Sequence, residues 1–169
     1  MLGCSLFFLC CLLPFFAMPR WQLAIVGFLV FLLHACAPAQ EPAGFEPEIR
    51  QFELRDATNP PPANPILFVG SSSFRMWTHL TDEFPGLPIL NRGFGGAHLS
   101  DVNHYFDRVV RPYHPRLIVI YGGDNDIASG KSPERVLADF QEFIRRVRAT
   151  STNIEVAMIS IKPSPALAP

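Results

Sequence analysis

The stretch Ile66-Leu67-Phe68-Val69-Gly70-Ser71-Ser72-Ser73-Phe74-Arg75-Met76-Trp77 decides how the rest of this chain is read. Four apolar residues bounded by Pro65 and Gly70 predict a buried strand. Three serines follow, and then a segment of helical character. A strand that ends in glycine and delivers a hydroxyl to the mouth of a helix is a good place for a nucleophile. The first helical turn offers free N–H groups and the positive end of the dipole. Three serines after a strand are also ordinary helix-capping chemistry. Other stretches must decide between the two.

Downstream, Pro88-Ile89-Leu90-Asn91 predicts a second short strand. It runs into Arg92-Gly93-Phe94-Gly95-Gly96, whose three glycines permit backbone conformations closed to other residues. Ser100 is placed to cap a helix carrying Val102, Tyr105, Phe106 and Val109 on one face, stopped by Pro112. Leu117-Ile118-Val119-Ile120-Tyr121 is continuous and β-branched, a strand expected to be buried on both faces, with Gly122-Gly123-Asp124-Asn125-Asp126 as its exit loop. Ser132-Pro133-Glu134 supplies an N-cap, a first-turn proline and an early acid. Val136, Phe140, Phe143, Ile144 and Val147 then keep helical spacing, and residues 154–161 predict a fourth strand. Strands alternating with helices imply an α/β fold with a doubly wound parallel sheet. Ligands bind such sheets at the carboxyl ends of the strands. Ser72, Gly96 and Asn125 each lie just beyond one of those ends.

Taken together, Gly70-Ser71-Ser72, Asn91-Arg92-Gly93-Phe94-Gly95-Gly96 and Gly123-Asp124-Asn125-Asp126 resemble the first three blocks of the SGNH (GDSL-type) hydrolases. The resemblance covers roughly Ile66 to Pro165. It implies a three-layer flavodoxin-like fold and an ester- or acyl-cleaving activity. By position, Ser72 corresponds to the nucleophile. Gly96 corresponds to a backbone oxyanion donor and Asn125 to a side-chain one, together with the Ser72 N–H. Ser71 stands where the strict triplet has aspartate. The physical reading agrees: an attacked ester carbonyl develops negative charge, and each fixed donor aimed at it can be worth about 2.7–4 kcal/mol. Gly96 suits a donor because a side chain could block the approach of backbone to substrate. Asn125 suits one because an amide donates without adding charge. The absence of glycine two residues after Ser72 argues against the elbow of α/β-hydrolases.

A serine nucleophile needs a base, usually a histidine oriented by a carboxylate. The resemblance implies that both come from a D-x-x-H block after a further strand. This chain ends at Ala166-Leu167-Ala168-Pro169 with no histidine beyond His114, so the domain is expected to be C-terminally truncated and impaired, with apolar surface left uncovered. Asp101-Val102-Asn103-His104 has the D-x-x-H spacing but falls in a predicted helix, where an exposed pair is the plain reading. His98, beside the glycine loop, is the other substitute to weigh; His79 and His114 read as surface residues. Asp124 and Asp126 do not make a calcium loop, because Ser129 and Arg135 stand at the positions of its later glycine and glutamate. The glycine loop lacks the G-x-G-x-x-G spacing of dinucleotide sites. No metal or cofactor is expected.

The 169 residues carry 49% hydrophobic and 17% charged residues, a skew that comes from the nearly uncharged residues 1–36. A net charge of -1 gives no reason to expect a nucleic-acid partner. All four cysteines, Cys4, Cys10, Cys11 and Cys36, lie in that apolar part, so the globular part has no disulfide framework. From Met18 the chain has a short basic segment and an apolar run of about a dozen residues, shorter than the roughly 20 of a membrane span. The run ends in Leu33-His34-Ala35-Cys36, which resembles a bacterial lipobox with Cys36 as the lipidated residue. The alternative is an uncleaved anchor; on either reading the domain is exported and tethered to a membrane, and Met18 is a candidate true start. Residues 1–36 are thus expected to be a signal and lipobox region, 37–64 a Pro-, Ala- and Glu-rich linker with a short helix, and 65–169 a partial hydrolase domain. In that helix Ile49, Phe52 and Leu54 are expected to face inward. The expected partners are the membrane and a small ester or acylated glycan substrate. A non-catalytic envelope lipoprotein that keeps the pocket for binding is the competing reading.

Overall fold

The inner strand β1 (Ile66–Gly70) pairs in parallel with β2 (Ile89–Gly93) on one side and β3 (Leu117–Tyr121) on the other. A fourth strand, β4 (Glu155–Met158), continues the sheet in the order β2-β1-β3-β4, every pair parallel. The structure is a computed structural model, and it describes residues 44–161. The N-terminal apolar runs, Met18, Cys36 and the residues from 162 onward lie outside the described residues.

The pleat sends alternate residues of each strand to opposite faces. Leu67 and Val69 of β1, Leu90 of β2 and Ile118 and Ile120 of β3 join one core. That face is covered by α1 (Glu46–Thr58), and by α4 (Leu99–His104) and α5 (Phe106–Val109), which follow β2. It is also covered by α7 (Pro133–Thr150), through Val136, Phe143 and Val147. Ile66, Phe68, Ile89 and Tyr121 form the opposite core with Phe74 of α2 (Ser72–Arg75) and Leu80 of α3 (Leu80–Glu83). Phe68 there meets Phe74 and Trp77 edge-on at 5.2 and 6.2 Å. This second layer is slight. Leu117 and Val119 of β3 are therefore only half-buried, where the sequence predicts burial on both faces.

The predicted elements shift locally for identifiable reasons. Leu54 is 60% exposed, because two residues past Phe52 a 3.6-residue helix has turned to its far side. The predicted helix after the glycine loop is two, broken at Tyr105, although Val102, Tyr105, Phe106 and Val109 are all buried as expected. Its N-cap is His98, not Ser100: the Asp101 carboxylate accepts the His98 backbone N–H at 2.9 Å, and Ser100 inside the helix accepts from Lys131 Nζ at 3.0 Å. The loop after β3 winds into a short helix, α6 (Asp124–Ala128). Ser132 does cap α7, its hydroxyl accepting the Arg135 N–H at 3.3 Å. β4 is shorter than predicted. Its pairing with β3 runs out at the Ile159 N–H, which donates to the Ile120 carbonyl, and Met158 and Ile159 are 40% and 42% exposed. No helix among the described residues is long and apolar enough to cross a membrane.

Candidate active site

In the sheet Gly70 pairs with Gly93 of β2 and with Tyr121 of β3, so the three strands finish at one level and their exit loops emerge side by side. The Phe94 N–H donates to the Gly70 carbonyl at 3.0 Å and the Ser71 N–H to the Tyr121 carbonyl at 3.1 Å. Gly70 adopts φ +142°, and a Cβ on it would lie 1.9 Å from the Tyr121 carbonyl oxygen. Only glycine permits that exit. Asn91 ties the next piece: its amide donates to the Phe74 carbonyl at 2.7 Å, and its carbonyl oxygen accepts the Gly93 N–H at 2.9 Å.

The three serines turn out to be chemically distinct. Ser71 occupies the N-cap position of α2, yet its side chain makes no capping bond; it is fully buried with Oγ unpartnered. Ser73 is in hydrogen-bond contact with the Tyr121 hydroxyl, whose pKa is raised by burial and then by the nearby Asp124 charge, with Ser73 opposing. Ser72 is half-buried and its hydroxyl forms no hydrogen bond among the described residues. As the first residue of α2 its N–H has no partner one turn back. The capping reading of this run is therefore not what the geometry supports.

Gly96 is exposed at φ +72°, and its N–H is not used by any backbone bond among the described residues. A Cβ there would meet no atom within 4 Å. Glycine is required at this position by the left-handed backbone rather than by crowding within the protein. Asn125, in the first turn of α6, is half-buried and donates from Nδ2 to the Ala97 carbonyl at 3.0 Å. A primary amide carries two N–H groups, so one remains after this bond. The neighbouring Asp126 is fully buried; it accepts the Leu99 N–H at 3.1 Å and Lys131 Nζ at 2.7 Å, tying the third loop to the start of α4.

The histidines divide differently from the residues above. The Asp101 carboxylate faces His98, whose Nδ1 lies 3.4 Å away, and not His104. His104 is exposed with its ring edge-on to Tyr105. The D-x-x-H string is thus not a pair. His98 is one-third exposed beside the glycine loop and makes no bond to Ser72. His79 and His114 are exposed, as the sequence predicts.

Composition and spacing could not reveal Glu48, Arg92, Asp126 or Lys131. Each matters through a partner 5 to 47 residues away that the fold brings into reach. For Arg92 and Asp126 the one signal was a charged residue inside a glycine-containing block; Glu48 had none.

The profile of the GDSL-like lipases and acylhydrolases matches residues 62–169. The chain belongs to this family. It is an SGNH/GDSL-type hydrolase family with an α/β architecture, and α1 lies upstream of the matched region. Among solved structures it is similar to a Bacteroides fragilis protein assigned to the acylhydrolases, at 25% identity and TM-score 0.56, over 64% of this chain and 55% of that one. It is similar in fold to a GDSL-like lipase of Bacteroides thetaiotaomicron, at 21% identity and TM-score 0.57, over 65% and 56% of the two chains. The SGNH-hydrolase family esterase AlinE4 shares the fold at 18% identity and TM-score 0.54, over 64% of each chain. This family member spans a little over half the length of the Bacteroides structures. No curated protein matches it.

Proposed function

We propose that the chain carries the nucleophile and oxyanion-hole part of an ester hydrolase, with Ser72 attacking the carbonyl carbon. One observation supports this most: of three consecutive serines at the carboxyl end of β1, only Ser72 presents a hydroxyl that is neither buried away nor engaged. The glycine loop flanks it on the β2 side and Asn125 on the β3 side. As the Ser72 oxygen bonds to carbon, its proton passes to solvent water and the carbonyl π-pair moves to oxygen. The N–H groups of Ser72 and Gly96 and the free hydrogen of Asn125 Nδ2 are the donors for that oxyanion. Collapse of the tetrahedral species breaks the bond to the leaving oxygen, which takes a proton from water and departs as the alcohol. A second water then attacks the acyl carbon, breaks its bond to Ser72 Oγ, releases the acid and returns the proton to Ser72.

The substrate class we favour is a small ester or an acylated glycan of the cell envelope. A cleft of about 290 Å³ that includes Arg75 at the end of α2 and Gly93 at the end of β2, with Arg55, Trp77, Thr78 and Asn91, offers aromatic and hydrogen-bonding surface for the sugar portion. We further propose export and membrane tethering through Cys36 or the N-terminal apolar run. One feature favours the non-catalytic alternative: no histidine among the described residues bonds to Ser72, so turnover by this chain alone should be slow.

Hydrolysis of p-nitrophenyl acetate by the full chain and by Ser72→Ala tests the assignment. A low rate abolished by the substitution is expected; a rate unchanged by it refutes Ser72 as nucleophile. No hydrolysis by the parent chain favours the binding reading.

A further inference from the structure

The helix α1 lies upstream of the family-matched region, yet it reaches the glycine loop at successive points. Asp56 receives the guanidinium of Arg92, the residue that leads into the loop. Phe45, immediately before α1, meets the Phe94 ring edge-on at 5.1 Å. Glu48 Oε2 accepts the Gly95 N–H at 3.1 Å. Its other oxygen, Oε1, is 3.6 Å from Arg75 Nη1, and Arg75 is the last residue of the helix that begins with Ser72. The guanidinium lies flat against the loop: a Cβ on Gly95 would be 2.6 Å from Arg75 Cζ.

These contacts bear on a specific difficulty. A glycine pair is the most freely rotating dipeptide available, and an oxyanion donor is useful only if its direction is set before reaction. The Gly96 N–H belongs to the peptide between Gly95 and Gly96. On its upstream side the nearest anchor is Glu48 on the Gly95 N–H; on its downstream side it is Asn125 on the Ala97 carbonyl, at 3.0 Å. Between those anchors lie the torsions of Gly95, Gly96 and Ala97, the glycines being the two with the widest freedom. A carboxylate so close to a developing oxyanion would repel it, and the Arg75 guanidinium on Oε1 offsets that charge. The same ion pair links the nucleophile's helix to the loop.

We propose that Glu48 is a positioning residue that orients the Gly96 N–H and holds α2 in register with it. The inference rests on Gly96 being an oxyanion donor. It is tested on the full chain, labelled with ¹⁵N-glycine, as the parent protein and as Glu48→Ala, Glu48→Gln and Ser72→Ala. Glutamine keeps an acceptor oxygen and is the conservative replacement. In Glu48→Ala we expect Gly95 amide exchange to accelerate about tenfold. We also expect kcat for p-nitrophenyl acetate to fall about tenfold with KM within twofold, less than the loss of a whole donor. Glu48→Gln should restore most of both. Unchanged Gly95 exchange in Glu48→Ala overturns the inference, and this arm needs no turnover. So does hydrolysis that is lost in Ser72→Ala but unaffected in Glu48→Ala. Hydrolysis that survives Ser72→Ala overturns the active-site reading, and this inference with it.

Discussion

Ser71, Ser72 and Ser73 are the same side chain three times, and one strand end gives them three environments. The residue before the helix is swallowed by the sheet edge, the third turns to Tyr121, and the middle one is left at the mouth of α2. The order of the serines in the motif already pointed to the middle one; burial of the first and bonding of the third are decided by the fold. Asn125 was legible in the same way. Its bond to Ala97 was not, and it makes the side chain a fixed donor rather than a mobile one. Replacing it should therefore remove a directed hydrogen and loosen the glycine loop together. We expect Asn125→Ala to lower kcat by about 10²–10³ with little change in KM, and Asn125→Asp to do no better, because a carboxylate would face both the Ala97 carbonyl and the oxyanion. Steady-state kinetics alongside the Ser72→Ala blank reads this directly.

At the scale of elements, α1 is the part whose role the sequence concealed. Its apolar positions Ile49 and Phe52 predicted that it docks, but not where. The direction comes from polar groups. Arg92 is 5% exposed and donates from Nε to the Tyr113 hydroxyl at 2.9 Å, while that hydroxyl donates to Asp56 Oδ2 at 2.7 Å. The guanidinium also lies 5.0 Å from the Phe52 ring centroid and 4.6 Å from that of Tyr113. Further along, Arg108 is gripped by Glu46 and Glu53, and this holds the Glu46 carboxyl at about 2, well below its ordinary 4.5. A depressed carboxyl stabilises the fold above its unfolded value, and that contribution disappears as the pH falls from 4.5 towards 2. The pair is surface-exposed, so the effect is small.

Tyr113 behaves in the opposite sense. Burial, and then its bond to Asp56, raises the hydroxyl from 10.0 to about 12, with Arg92 opposing. A raised group stabilises the fold below its unfolded value, so stability is present below pH 10 and lost as the pH climbs towards 12. Thermal melts should show a falling midpoint across that window in the parent chain. Tyr113→Phe should lie lower at pH 8, by about 1–3 kcal/mol for the bonds it removes, and should lack the tyrosine's share of the alkaline decline. Equal alkaline slopes in the two proteins would show that Tyr113 is not the titrating group.

For the whole molecule, strand order and pleat set what the domain can expose. Among the described residues one face carries four helices, while the other has α2, α3 and a few aromatic side chains over β1, β2 and β3. Leu117 and Val119 consequently remain half-buried, and Met158 of β4 and the Ile159 that follows it face solvent. The proposed tether belongs to this scale too, because it determines where such a surface meets its substrate. If Cys36 is the lipidated first residue, mass spectrometry of the mature protein should find an N-terminal acylated Cys36 peptide and no peptide upstream of it. An unmodified peptide spanning Cys36 would rule that route out.

What the sequence determined alone is the alternation of strand and helix, the parallel sheet, and the three blocks at its carboxyl edge. These follow from local hydrophobic period, from glycine where φ must be positive, and from short spacing between like elements. Only the tertiary structure decided which serine stays free, that Asp101 answers His98 and not His104, that Glu48 and Asp56 hold the glycine loop at two points, and that Asp126 ties the third loop to α4. Such choices depend on which polar groups meet across long stretches of chain, and no local pattern encodes that encounter. The run Ile66–Trp77 announced a strand feeding a hydroxyl to a helix; the neighbours that make one hydroxyl different came from elsewhere in the fold.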